Sequence, residues 1–180
     1  MLMGEVAGGN PAAFRKLFQR YQVPIYSYLF SITRDGQMAE DLTQETFLRV
    51  FRNRANYTRE ARFTTWLWTI ARNAAIDHIR KKKETPLGEE IEEATMGDSR
   101  GLEPNDAETL LVQKADQQAI ADCLGRLPDS QRDALAMRIF SELDYAEIAK
   151  TMESTVPAIK SVLHRGKQSL VDCLKRKSYG

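Results

Sequence analysis

The chain has 180 residues, of which 42% are hydrophobic and 28% charged, and its net charge is +1. That composition describes a folded globular chain with room for one domain or two small ones, and argues against a disordered one. No apolar run approaches the ~20 residues of a membrane span, and Met1-Leu2-Met3-Gly4-Glu5 lacks the basic-then-apolar pattern of a secretory signal.

Ala12 to Phe30 carries Phe14, Leu17, Phe18, Tyr21, Ile25, Tyr28 and Leu29 at a three-and-four spacing, which predicts a helix. Pro24 falls inside it and is expected to bend or break it locally. Arg34-Asp35-Gly36 reads as a turn, and a second helix is predicted from Gln37 to about Arg54. On its wheel Ala39, Leu42, Thr46 and Val50 form one face. Leu48 and Phe51 lie well off that face, beside Gln44. A helix apolar around so much of its circumference either sits deep in a domain or has a second partner. Phe47 is expected in the core, and Gln44 with Leu48 on an interaction surface.

Asn56 to Glu60 reads as a loop, and Phe63 to Lys83 as a third long helix with a basic tail. Phe63, Trp66, Leu67, Ile70, Ala71 and Ala74 share one face, which places Trp66 in the core. Trp68, Arg72, Ile76 and Ile79 lie roughly opposite, with Asn73 and Arg80 at the side. For Trp68, a core position and a nucleic-acid contact both stay open. The mix suits single-stranded or distorted nucleic acid, where aromatics stack bases, Asn reads a base edge and Lys or Arg holds phosphates. From Arg59 to Lys83, seven bases stand against two acids.

Glu84 to Glu108 reverses that balance, with nine acids against one base. Proline and glycine cluster there and apolar periodicity is poor, which predicts an acidic flexible linker over residues 84–106. It divides the chain into an N-terminal block, 1–83, and a C-terminal block, 107–180.

Ala107 to Leu127 reads as a helix stopping before Pro128, and Asp129-Ser130 caps another that runs to about Phe140. Tyr145 to Met152 is a short helix, Glu153-Ser154-Thr155 a tight turn, and Pro157 sits in the first turn of a last helix. If Ile159, Leu163, Gly166 and Leu170 face the core, then Lys160, Ser161, His164, Arg165, Lys167 and Gln168 face outward. Short helix, turn and long basic helix form a helix-turn-helix arrangement, whose second helix suits the major groove. From Val156 to Gly180, six bases stand against one acid. The fold expected is all-α: two small helical domains joined by an acidic linker, the second containing the helix-turn-helix.

Cys123 and Cys173 lie far apart inside helical patterns, so two buried reduced thiols are expected rather than a disulfide. With two isolated cysteines and two histidines, no metal site is expected, and no cofactor motif is present. No phosphate-cradling glycine loop or nucleophile elbow supports an enzyme.

Three motifs in this order resemble the sigma-70 family of bacterial RNA polymerase sigma factors, in its extracytoplasmic-function (ECF) group. They are Asp41-Leu42-Thr43-Gln44-Glu45-Thr46-Phe47; Phe63-Thr64-Thr65-Trp66-Leu67 through Ile70-Ala71-Arg72-Asn73 to Asp77 and Arg80; and Leu127-Pro128 followed by Tyr145-Ala146-Glu147-Ile148-Ala149. The resemblance implies that Asp41, Gln44, Glu45, Leu48 and Phe51 dock on core RNA polymerase, whose contacts are the largest-subunit clamp and flap regions. It implies that Tyr57, Thr58, Arg59, Arg72, Asn73 and Arg80 capture the melted minus-ten element. It implies that Lys160, Ser161, His164, Arg165 and Lys167 read the minus-thirty-five element in duplex promoter DNA. The acidic linker would thread the polymerase near its RNA exit path. Thr69-Ile70 stand where housekeeping members carry adjacent tryptophans, implying weaker melting and stricter promoter choice. No residues are left for a further sensor domain, which implies control by a separate anti-sigma factor in the bacterial cytoplasm. A stand-alone helix-turn-helix regulator is the alternative; it leaves the first two motifs idle.

Overall fold

The computed structural model describes residues 2–58, 60, 62–84, 118–141 and 143–178. Among these, every regular element is helical. The elements are α1 (Leu2–Ala7), α2 (Pro11–Thr33), α3 (Gly36–Arg52), a 3-10 turn (Arg54–Asn56), α4 (Phe63–Glu84), α5 (118–124), α6 (Asp129–Ser141), α7 (Tyr145–Thr151) and α8 (Val156–Ser178). The linker 84–106 lies outside the described residues except for Glu84, as does most of the helix expected from Ala107.

Local chemistry sets the helix ends. The Asn10 side chain accepts from the Ala12 and Ala13 amides to start α2, with Pro11 in the first turn. Arg34 closes α2 in the left-handed conformation, its amide donating to the Phe30 carbonyl. Asp35 then caps α3 through the Met38 amide. Asp144 and Glu147 form a reciprocal capping box at α7. Pro24 does not break α2, which runs through it from Pro11 to Thr33. Ile25, Tyr28 and Leu29 just beyond it are fully buried, so tertiary packing outweighs the lost backbone hydrogen bond.

The N-terminal helices pack α2 on α3 and α3 on α4, and the C-terminal helices pack α6 and α7 on α8. Edge-on aromatic pairs join α2 to its neighbours: Phe14 with Phe51, Phe18 with Phe47, and Tyr28 with Trp68. Gly166 lets α8 approach α6 closely, because a β-carbon there would stand 2.8 Å from Leu135.

The two blocks do not stand apart. α2 packs on α6 and α4 packs on α7, so one continuous apolar cluster runs from Leu17 and Trp68 to Met137, Ile148 and Ile159.

Two expectations are corrected here. Cys123 and Cys173 form a disulfide, with α-carbons 5.9 Å apart. Their separation of 50 residues hid the fact that α5 lies alongside α8. Trp66, expected in the core, is only half-buried, though packed against it, and Trp68, for which two readings stayed open, is fully buried. Thr65 and Arg72 on its side of α4 meet the C-terminal helices.

Candidate nucleic-acid and polymerase interfaces

On α3, Asp41, Gln44, Leu48 and Phe51 lie on the exposed side, with Leu48 48% and Phe51 39% exposed. Phe47 is in the core, as expected. Gln37 Nε2 donates to Asp41 Oδ1 at 3.1 Å. Glu45 is half-buried and accepts from Arg49 Nε at 2.8 Å; the same guanidinium reaches Asp77 Oδ2 on α4 at 3.2 Å. Those contacts hold Arg49 more firmly protonated, the Glu45 hydrogen bond most of all. Glu45 therefore helps fix α3 on α4 at the edge of the open face. The Arg54 guanidinium sits 4.1 Å from the Phe51 ring centre. An apolar pair rimmed by polar side chains is the signature of a contact surface.

The minus-ten candidates divide into two groups. Tyr57 is half-buried with its ring 5.2 Å from Trp66 and 6.2 Å from Phe63; Thr58, Asn73 and Arg80 are exposed. Trp66, Asn73 and Arg80 recur every seven residues, so they align along one side of α4. That sevenfold spacing was present in the sequence and could have marked Trp66 as part of an aromatic ledge. Arg80 lies 3.9 Å from Asp77. Arg59 lies outside the described residues.

Arg72 does not join this ledge. It belongs with Thr65 and Trp68 on the stripe that meets the C-terminal helices. Its Nε lies 3.5 Å from Asp133 Oδ2 on α6, and its side chain is 22% exposed. Two turns away, Thr65 Oγ1 donates to Glu147 Oε1 at 3.2 Å, and Arg62 Nη1 lies 3.5 Å from the same oxygen. Asp133 and Glu147 were not singled out from sequence, because nothing local marks an acid as the partner of a base 60 or more residues away.

Burial raises the Asp133 carboxyl pKa above the ordinary range, against the opposing pull of Arg132 and Arg72. Burial also raises the Tyr28 hydroxyl well above its usual value, and the Asp133 charge adds to that. Tyr28 Oη, Trp68 Nε1, Arg72 Nε, Arg132 Nε and Asp133 Oδ1 are buried without a hydrogen bond among the described residues.

In the C-terminal block, Lys160, Ser161, His164, Arg165 and Lys167 are all exposed on α8, while Ile159, Leu163, Gly166 and Leu170 are buried. α7, the turn after it and α8 form the expected helix-turn-helix. Lys160 Nζ lies 6.0 Å from the Tyr145 ring centre, so the first residues of the reading helix border α7. Over residues 160–168 the exposed face offers several donors and no carboxylate, which suits base edges and phosphates. No helix among the described residues is long and apolar enough to cross a membrane.

A family model described as sigma-70 region 2 matches residues 17–85, and one described as sigma-70, region 4 matches residues 117–170. The ECF RNA polymerase sigma factor SigM of Bacillus subtilis (strain 168) is 33% identical over 156 residues, covering 86% of this chain and 91% of the relative. SigW of the same organism, also an ECF RNA polymerase sigma factor, is 32% identical, covering 92% and 91%. Among solved structures, CnrH in complex with the cytosolic domain of CnrY shares the fold with a TM-score of 0.69 at 19% identity, covering 97% of this chain and 96% of that one. The sigma factor RpoE in complex with the anti-sigma factor NepR from Bartonella quintana gives 0.67 at 22% identity, covering 90% and 96%.

Proposed function

The chain belongs to the sigma-70 family, in its extracytoplasmic-function group, and from that premise we propose how its surfaces share the work. As an ECF sigma factor it binds core RNA polymerase and directs it to specific promoters. The N-terminal block, 1–83, docks through Asp41, Gln44, Leu48 and Phe51, with Glu45 at the edge. Its Trp66–Asn73–Arg80 ledge, with Tyr57, Thr58 and Arg59, holds the melted minus-ten strand, and Arg72 joins once uncovered. Taking a base out of the stack costs a few kcal/mol, which the aromatic ledge and cations offset. The C-terminal block, 107–180, reads the minus-thirty-five duplex through Lys160, Ser161, His164, Arg165 and Lys167. The linker 84–106 threads the polymerase. The chain performs no catalysis of its own and acts in the cytoplasm, where a separate anti-sigma factor controls it.

The observation that carries this division is the pairing of an exposed apolar patch on α3 with a donor face over residues 160–168 of α8 that contains no acid. Polymerase recruitment uses the first and duplex reading the second. The test combines the chain with bacterial core RNA polymerase and maps the transcript starts. Stable association with a narrow set of starts is expected. Salt-sensitive binding to duplex DNA by the chain alone, with no polymerase association, would instead favour a stand-alone regulator.

A further inference from the structure

Cys123 and Cys173 tie α5 to the second half of α8, across 50 residues. α5 is also the element that touches the N-terminal block at its far end. Asp122, beside Cys123, accepts from Lys177 Nζ of α8 at 2.8 Å and faces Arg34 of α2 at 3.9 Å. Gly125 brings the end of α5 so near α2 that a β-carbon there would lie 2.9 Å from the Ser31 carbonyl oxygen. The disulfide thus fastens the end of the DNA-reading helix to the short helix seated on α2.

Both cysteines also line a solvent-open cavity of about 420 Å³, with Arg126, Leu127, Pro128, Ser169, Arg176 and Lys177. Asp122 holds Lys177, but among the described residues neither Arg126 nor Arg176 has a carboxylate partner. A basic mouth over a disulfide favours both halves of thiol exchange. It draws in an anionic thiolate and stabilises the thiolate that leaves.

We propose that Cys123–Cys173 is a thiol–disulfide exchange site, entered through this basic cavity and selective for anionic thiols of the glutathione class, and that its reduction frees the end of α8 from α5. The incoming thiolate attacks Sγ of Cys173, forms a mixed disulfide and expels the Cys123 thiolate, which takes a proton. A second thiol attacks the outer sulfur of the mixed disulfide and releases a small-molecule disulfide. Two electrons pass to the protein, leaving two thiols. An oxidised disulfide of the same class runs the sequence backwards. This inference is independent of what the α3 and α8 faces bind.

The test uses the oxidised full chain in native buffer, with reduced glutathione and neutral 2-mercaptoethanol at equal thiolate concentration. Glutathione is expected to open the disulfide about tenfold faster, as steering by a basic site allows, and added salt should erase the difference. Arg126→Glu with Arg176→Glu should slow both thiols, glutathione by far the more, and so lose the preference. Equal rates for the two thiols in unsubstituted protein at low salt would overturn the proposal, as would a disulfide that opens only in denaturant. After reduction, amides of residues 118–124 and 170–177 should exchange faster with deuterium; unchanged protection would overturn the release of α8.

Discussion

The reading face of α8 and the nucleic-acid side of α4 are both basic and both helical, yet they differ in availability. On α8 every candidate side chain is exposed, and the apolar stripe beneath seats on α6 and α7. On α4 the Trp66–Asn73–Arg80 ledge is open, while Thr65, Trp68 and Arg72 lie under α6 and α7. On the proposed assignment the difference would follow the order of events at a promoter, where duplex is read before it melts and a single strand is held only afterwards. The C-terminal block leaves its proposed duplex face open and covers the proposed single-strand contact Arg72 with Asp133.

The seam between the blocks is held by apolar burial, yet Tyr28 Oη and Trp68 Nε1 are buried there without a hydrogen bond among the described residues, beside the charge cluster of Arg72, Arg132 and Asp133. An unsatisfied buried group costs about 1–3 kcal/mol. Such a seam closes with less net stabilisation than its area implies.

The largest test of this contrast is Asp133→Ala. It leaves Arg72 partly buried without its carboxylate, which costs about 3 kcal/mol, while Arg132 keeps Asp129 at 3.1 Å. Hydrogen exchange should show α4 losing protection while the α7–α8 unit keeps it. Gly125→Ala should open the seam by crowding. Its new β-carbon meets the Ser31 carbonyl oxygen at 2.9 Å and the Arg34 side chain at 3.1 Å, and overpacking of this kind costs about 1–3 kcal/mol in thermal unfolding.

Two variants probe the open faces instead. Arg165→Ala should weaken binding to minus-thirty-five duplex by about 1–3 kcal/mol in a footprint titration. Gln44→Ala with Leu48→Ala should lower affinity for core polymerase, while each change moves chain stability by less than about 0.5 kcal/mol. The smallest effect is on pH. The Asp133 carboxyl is raised by burial in the closed chain. Closure is therefore fully favoured below the ordinary carboxylate range and weakens as pH rises through the raised value. Asp133→Asn should flatten that dependence in hydrogen exchange measured across acidic pH.

Much of this was legible in the sequence because it is local. The spacing of Leu48 against Thr46 and Val50 marks a second face on α3. Asp144 three residues before Glu147 marks the start of α7, and Gly166 marks the core side of α8. What escaped depends on distant partners. The wheel of α4 shows two apolar stripes but cannot say which lies deeper against other helices, so it places Trp66 in the core and leaves Trp68 open. Arg72 reads as a phosphate contact until Asp133, 61 residues on, is seen beside it. The pairing of Cys123 with Cys173 needs α5 laid along α8, which no spacing reports.

The most direct test of the covered Arg72 is binding of single-stranded minus-ten DNA by the free chain, followed by fluorescence anisotropy. Asp133→Ala with Glu147→Ala should bind about tenfold more tightly than the unsubstituted chain, a difference of about 1.4 kcal/mol. Adding Arg72→Ala should remove that gain, whereas the distant control Asp172→Ala should give none. An affinity unchanged by opening the seam, or a gain that survives the loss of Arg72, would contradict the account.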